Sequence, residues 1–371
     1  MNRRGRRSAA MVSLCAVAIV IGLTGCGSDS SSSSDSQSSD SSMAPSPDDV
    51  NIVATNSIVG AVVSQVLGED AVSVIIPNGK DPHDYEPSAQ DVEEMMKADL
   101  IIETGLAYDV GLDKTIDSAR DSGVAVFTIS DHVELKDVDG DVVADHSEEE
   151  HGHGGKDSGE VHTEATPDHE GHSHEGDTSE KAHSEEDHSE EGHSEEGHSH
   201  EGADPHFLSD PETMKQVVPA LIEALEEATN TDLSAAADEL TLMFESSHTE
   251  VLTIMDSLGD VPCTLVTGHE SMRYFADRYG CDIVGAIIPG LSSTAEATAG
   301  ALADLKEKAV EAQVRAIFVD EGTPSKVADQ IASEVGVEVH ELASHTVPDE
   351  GGYMAYVVAI ADVIVDGLTA E

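Results

Sequence analysis

The chain has 371 residues and carries 18 Lys and Arg against 75 Asp and Glu, a formal charge of −57. That field repels phosphate backbones and anionic headgroups, which excludes nucleic acid and charged lipid surfaces as partners and favours cations. Aromatic residues make up 3% and Trp is absent, so any core is aliphatic, and the length suffices for two domains beside the low-complexity stretches.

Arg3, Arg4, Arg6 and Arg7 precede the apolar run MVSLCAVAIVIGL, which ends in Leu23-Thr24-Gly25-Cys26. A positive leader, a short apolar core and small residues before a cysteine predict a signal peptide over residues 1–26. The ending resembles the lipobox of bacterial lipoproteins, which implies cleavage and lipidation at Cys26. An uncleaved anchor or an ordinary signal peptide is the alternative, although the run is short of the ~20 apolar residues of a spanning helix. Residues 27–49 are Ser-rich and read as a flexible tether with nothing to bury. The protein is therefore expected outside the cytoplasm, held at the cell membrane by a lipid anchor.

From Asn51 strand-like and helix-like patterns alternate. NIVATNS reads as a strand, IVGAVVSQVLG as a helix and AVSVIIP as a strand. SAQDVEEMMKA then reads as a helix, DLIIETG as a strand, DVGLDKTIDSARDSG as a helix and VAVFTIS as a strand. This alternation predicts an α/β fold with a parallel sheet flanked by helices. The loop GKDPHDYEP follows the second strand and places His83 just past a strand exit. His132, in TISDHVEL, has no motif around it and reads as a surface residue.

Residues 146–200 hold 12 histidines among acidic repeats such as HSEEDHSEEGHSEEGHSHEG. So few apolar residues cannot offset the entropy of ordering, so disorder is expected across an insertion spanning 146–203. Imidazole and carboxylate together make weak, exchangeable cation sites, so the tract is expected to capture or buffer metal rather than act as an inert acidic loop. Directly after it the tripeptide Asp-Pro-His returns at Asp204-Pro205-His206. With its insertion, the first domain is placed at 50–232.

LSAAADELTLMFESSHTEVLTIMDSLGD carries Leu240, Met243, Phe244, Ser247, Val251, Ile254, Met255 and Leu258 at helical spacing. A helix from Ala235 to Leu258, roughly 36 Å long, would span two lobes as a spine, within a segment placed at 233–260. His248 lies off its apolar stripe and reads as solvated.

The third part, 261–371, repeats the alternation. CTLVTG, CDIVGAIIPG, VRAIFVDEG and VEVHELAS read as strands. Helices are expected at Glu270–Tyr279, Ala295–Gln313, Ser325–Val335 and Tyr353–Leu368. His269 sits at the exit of the first of these strands and at the N-terminus expected for the helix after it, where the helix dipole favours a neutral, ligating imidazole. Cys263 and Cys281 each open a strand; neighbouring parallel strands start at one sheet edge, so a disulfide is within reach, with buried free thiols or metal ligation as alternatives.

His83, His206 and His269 thus stand at three strand exits, the arrangement of imidazoles converging on a transition metal. GKDPHDYEPSAQDVEEMMKADLIIETGL, ADPHFLSDP, VTGHESMRYFADRYG and AIFVDEGTPSKVADQIASEVGVEV, in that order, resemble the zinc-binding solute-binding proteins of ATP-driven metal uptake systems. The resemblance implies two (β/α) lobes joined by a long helix, with the metal in the cleft between them. It also implies that His83, His206 and His269 are ligands, and that a histidine-rich loop precedes the second Asp-Pro-His. The fourth ligand of the family comes from the segment after the last strand, here HELASHTVPDEGGY, where His345 falls; Glu321 or water is the alternative, and His340 belongs to the strand. Manganese-preferring relatives carry Glu in place of His269, and nitrogen donors favour zinc over manganese. Leu208-Ser209 and GLSSTAEAT depart from the family pattern without removing a ligand. The expectation is a zinc-binding lipoprotein, a monomer and not an enzyme, that delivers Zn2+ to an ABC transporter permease. A zinc-storing or adhesin-type lipoprotein of the same fold is the alternative. A zinc hydrolase is remote, since neither a metalloprotease motif nor a nucleophile elbow accompanies Glu270 or Glu321.

Overall fold

The computed structural model describes residues 50–137, 142–143 and 202–370. The expected signal peptide, Cys26, the expected tether and the histidine tract lie outside them. The first lobe opens with β1 (Ile52–Asn56), α1 (Ser57–Leu67), β2 (Val72–Ile76), α2 (Ala89–Met95), β3 (Leu100–Glu103), α3 (Asp113–Asp121) and β4 (Ala125–Thr128). Its four strands are parallel in the order β2-β1-β3-β4. The central strands open on apolar runs, Ile52–Ala54 and Leu100–Ile102, because both faces are covered there. Ile52, Ala54, Leu100 and Ile102 face the main core, while Val53 and Ile101 face Ile75, Met95, Leu112 and Ile116.

Local chemistry starts these helices at the strand exits. Asn56 ends β1 and caps α1, its side chain accepting from the amides of Ile58 and Val59 at 3.1 Å each. Ser88 and Asp91 form a reciprocal capping box at α2.

After the insertion come α4 (Pro211–Met214), α5 (Val218–Thr229) and the 23-residue α6 (Ser234–Asp256). Along α6, Leu240, Phe244, Ser247, Val251 and Met255 are buried. The ring of Phe244 meets Tyr353 edge-on, centroids 4.9 Å apart. The spine expected from the heptad-like stripe is therefore present, about 34 Å long at the usual rise.

The second lobe comprises β5 (Thr264–Thr267), α7 (Arg273–Tyr279), β6 (Asp282–Ala286), α8 (Ala299–Glu311), β7 (Ala316–Val319), α9 (Ser325–Val335), β8 (Glu338–Glu341) and α10 (Gly352–Thr369). Its strands form two parallel pairs, β5–β6 and β7–β8, rather than one continuous ladder. The β5–β6 register shifts between Leu265 and Val266. Cys263 and Cys281, at the starts of those strands, are joined in a disulfide with Cα atoms 4.6 Å apart. By length and hydropathy α10 resembles a membrane span. Its Tyr353, Tyr356, Val357, Ile360, Ala361, Ile364 and Leu368 are nevertheless buried in the core, so it is a core helix.

Three helices begin later than their sequence pattern. The segments before Asp113, Arg273 and Ala299 are turns and loops: Leu112 N donates to Asp109 O at 2.8 Å and Ala295 N to Ser292 O at 3.1 Å, while Glu270 N crosses to Gly290 O at 3.0 Å. His269 therefore does not sit at a helix N-terminus, contrary to expectation, because α7 begins only at Arg273.

Candidate metal centre

Parallel strands deliver their exits to one edge of a sheet, and three such exits carry His83, His269 and His345 into the cleft between the lobes; His206, expected at a strand exit, instead opens the short helical turn His206–Ser209 after the insertion. Past β2, the chain turns at Gly79 (φ 74°) and enters a short helical turn, Pro82–Asp84, capped by the Asp81 side chain on His83 N at 3.0 Å. In the second Asp-Pro-His, Asp204 Oδ1 accepts from both the amide of His206 at 2.9 Å and its Nδ1 at 2.7 Å. Past β5, Thr267 Oγ1 donates to His269 O at 2.7 Å and fixes the turn. His345 lies past β8.

All four rings are at most 4% exposed, and one nitrogen from each falls within 4.8 Å of the others. His206 Nε2 is 3.2 Å from His83 Nε2 and 3.2 Å from His269 Nε2. Tetrahedral zinc with bonds of ~2.0–2.1 Å places its nitrogens roughly 3.3 Å apart. A proton can sit between one pair of nitrogens only; one cation serves all four.

Carboxylates behind the rings select the nitrogen presented. Asp204 faces Nδ1 of His206, and Asp320 Oδ2 lies 2.7 Å from Nδ1 of His269. A proton held at Nδ1 leaves the Nε2 lone pair free for the centre. Glu321 does not join the quartet: one oxygen accepts from Thr346 Oγ1 at 2.5 Å and the other is 3.6 Å from His345 Nδ1. His345 thus stands where the sequence placed the fourth donor, and Glu321 stands behind it. His340 lies in β8 beside Phe318, His248 on α6 against Tyr279, and exposed His132 stacks on Phe127.

Burial, followed by the neighbouring imidazoles, drives His83 and His206 well below the ordinary histidine value. Burial also lowers His345 to about 4, against a partial rise from Asp320. Burial pushes Asp204 up to about 7 despite the His206 amide. For Asp320 burial works upward too, but the hydrogen bond and charge of His269 and the charge of His345 hold it below the usual carboxylate range. The site thus keeps His83, His206 and His345 neutral, the form that binds metal.

Tyr108 forms a wall that the sequence pattern did not reveal. It is buried, and its ring lies edge-on to His83, His206 and His345, with centroids 5.2, 5.7 and 5.9 Å away. Its loop is distinctive only in three dimensions, where Leu106 and Ala107 adopt φ of 55° and 54°. The roles of Asp204 and Asp320 were missed as well. An Asp two residues before His206 was visible, whereas nothing marked Asp320 over its neighbour Glu321. The cavity bordered by Tyr108, His206, Ser344, His345 and Tyr356 measures about 10 Å3, enough for a water and too small for an organic substrate.

Residues 52–367 match the family described as zinc-uptake complex component A, periplasmic (ZnuA). The manganese-binding lipoprotein MntA of Halalkalibacterium halodurans is 22% identical over 336 residues, covering 87% of this chain and 89% of that protein. The periplasmic zinc-binding protein TroA from Treponema pallidum superposes with a TM-score of 0.61 at 20% identity, over 86% of this chain and 99% of that one. A zinc-bound ZnuA deletion mutant gives 0.60 at 18% identity, over 87% and 99%. At these identities the structural likeness establishes a common fold, including two lobes.

Proposed function

Because the chain belongs to the zinc-uptake complex component A family of metal-binding solute-binding proteins, a transport family rather than an enzyme family, we propose that zinc is its cargo. In this reading it is a monomer, lipid-anchored at Cys26 on the outer face of the cell membrane, and it hands Zn2+ to an ABC transporter permease. His83, His206, His269 and His345 are the ligands.

The observation that carries zinc is the donor set. Four buried imidazoles converge, and the nearby carboxylates stand behind them instead of among them. Nitrogen suits zinc, whereas manganese binds best to oxygen-rich sites. Manganese appears in the name of the MntA relative and describes that protein. A complete four-ligand set leaves no open position for a reacting water, and the adjoining cavity has no room for an organic substrate, which argues against hydrolysis.

Competitive titration with a chelator, on protein lacking the histidine tract, tests this. One tight zinc per chain is expected, with manganese displaced by zinc. Replacing His83, His206, His269 or His345 by Ala should each weaken zinc more than ~100-fold, beyond the usual 10–100-fold cost of losing a group behind a ligand. Manganese binding as tight as zinc, or undiminished affinity in His345→Ala, would overturn the assignment. Zinc-limited growth of a deletion strain separates import from storage or adhesion.

A further inference from the structure

Each lobe supplies two of the four histidines, and the two flanks of the centre are fastened by different chemistry. On the flank of His206, Arg278 of α7 grips the fully buried Asp210 through contacts of 2.8, 2.9 and 3.1 Å. Nearby, Tyr353 Oη donates to Leu208 O at 2.9 Å, and the amide of Lys136 donates to Tyr274 Oη at 2.7 Å. Breaking this pair strands the Asp210 carboxylate away from water and is costly, although Arg278 itself is about one-third exposed (35%).

On the flank of His83 and His345 every cross-cleft bond is made by small, uncharged or partly solvated groups. Asn78 Nδ2 donates to Val347 O at 2.8 Å, and Asn78 Oδ1 accepts from Val347 N at 3.0 Å, so one amide closes both halves of a ladder rung. Gly79 N donates to Thr346 Oγ1 at 3.1 Å. Ser293 Oγ donates to Asp81 Oδ2 at 2.5 Å, and Ser57 Oγ to His345 O at 3.3 Å. Asn78 and Gly79 are exposed, so water can replace these partners at small net cost. The bonds also lie close to the ligands in sequence: Asn78 to Asp81 run into His83, and Thr346 and Val347 follow His345.

We propose that Asn78, Asp81, Ser293 and Thr346 form a cross-cleft latch that sets how fast the bound metal leaves. Opening parts the His83 and His345 flank while His206 and His269 stay fastened together. Asn78 is a positioning residue here, acting on the ion only through the two loops it ties. The inference rests on the reading of the centre as a metal site, but not on which divalent ion occupies it.

The packing supplies an independent way to disturb the latch. A Cβ at Gly322 would run into the Asp81 carboxylate and Ser293, so Gly322→Ala wedges the same seam without touching Asn78. The experiment is stopped-flow release of zinc from the full chain into a chelator, for the parent, Asn78→Ala, Asn78→Asp, Gly322→Ala and Arg278→Ala. Asn78→Ala and Gly322→Ala should each speed release about tenfold, the loss of one or two net hydrogen bonds, with association within about twofold. Asn78→Asp, which keeps only the acceptor for Val347 N, should fall between them and the parent. Arg278→Ala should change release less than either. Metal-free melting temperatures identify any misfolded variant, for which Thr346→Val substitutes. Release rates within about twofold of the parent, or slower association in place of faster release, overturn the latch. A parent that binds manganese instead of zinc would overturn the cargo assignment alone, and the same rates measured with manganese would still decide the latch.

Discussion

At Nδ1 of His206 and of His269 a carboxylate oxygen lies 2.7 Å away, and these contacts decide which nitrogen faces the centre. The pH dependence of binding follows from the same burial. His345 is held at about 4, His83 is lower still, and His206 lies well below the 6.5 of a free imidazole. At these three rings few protons therefore compete with zinc above pH 5 in the closed, metal-free protein. Affinity measured on tract-deleted protein should fall between pH 8 and 5 by no more than about tenfold per pH unit, the competition of a single imidazole, and more steeply once His345 protonates. A steep fall beginning at pH 6.5 would contradict this and show that the empty cleft stands open, with solvated imidazoles. Folding stability has its own sign. Below pH 6.5 the unfolded chain protonates these histidines while the folded one does not, so each removes up to about 1.4 kcal/mol per pH unit from the metal-free fold. Asp204 opposes them: raised to about 7 when folded, it takes up a proton there that the unfolded carboxylate refuses until lower pH. His83 and His269 were legible because strand-exit motifs announce them and His206 because it repeats Asp-Pro-His, whereas His345 followed only from the family resemblance. Asp320 was not legible, since only the fold brings the end of β7 behind the end of β5.

Among the elements, the alternating pattern located the strands and the spine well, and it overran the helices at their starts. Residues 109–112, 270–272 and 295–298 read as helix in the sequence, yet they are turns and loops: Leu112 N bonds to Asp109 O and Ala295 N to Ser292 O, three residues back, and Glu270 N crosses to Gly290 O. Those loops carry or border the centre. This is why the dipole expected at His269 is absent: α7 begins at Arg273. The second lobe likewise pairs its strands as β5–β6 and β7–β8, and a register shift between Leu265 and Val266 that no local pattern reports interrupts the first pair. The Cys263–Cys281 link ties the starts of β5 and β6 across 18 residues. By loop-closure entropy it should contribute about 3 kcal/mol. Replacing both cysteines by Ser should lower the urea midpoint accordingly and leave zinc affinity within a few-fold, since the bond lies at the opposite ends of these strands from His269. A large loss of affinity would show that it positions the ligand loop.

At the scale of the whole molecule, two lobes and a 23-residue spine make a scaffold whose cleft needs both halves. The 12 tract histidines among acidic residues are expected to bind zinc weakly and to leave the tight centre independent. Deleting residues 148–200 should abolish several weak sites in a calorimetric titration, preserve one tight site, and slow growth only when zinc is scarce. Loss of the tight site would mean that the tract donates a ligand. The carboxylates of Asp204 and Asp320 have one more consequence. When ionised, their combined charge cancels that of a divalent ion, so the filled centre is electrically neutral inside a dry protein. A monovalent or trivalent ion would leave one charge unbalanced where water cannot screen it, at a cost of several kcal/mol. The cleft therefore sorts ions by valence before donor chemistry sorts them by element.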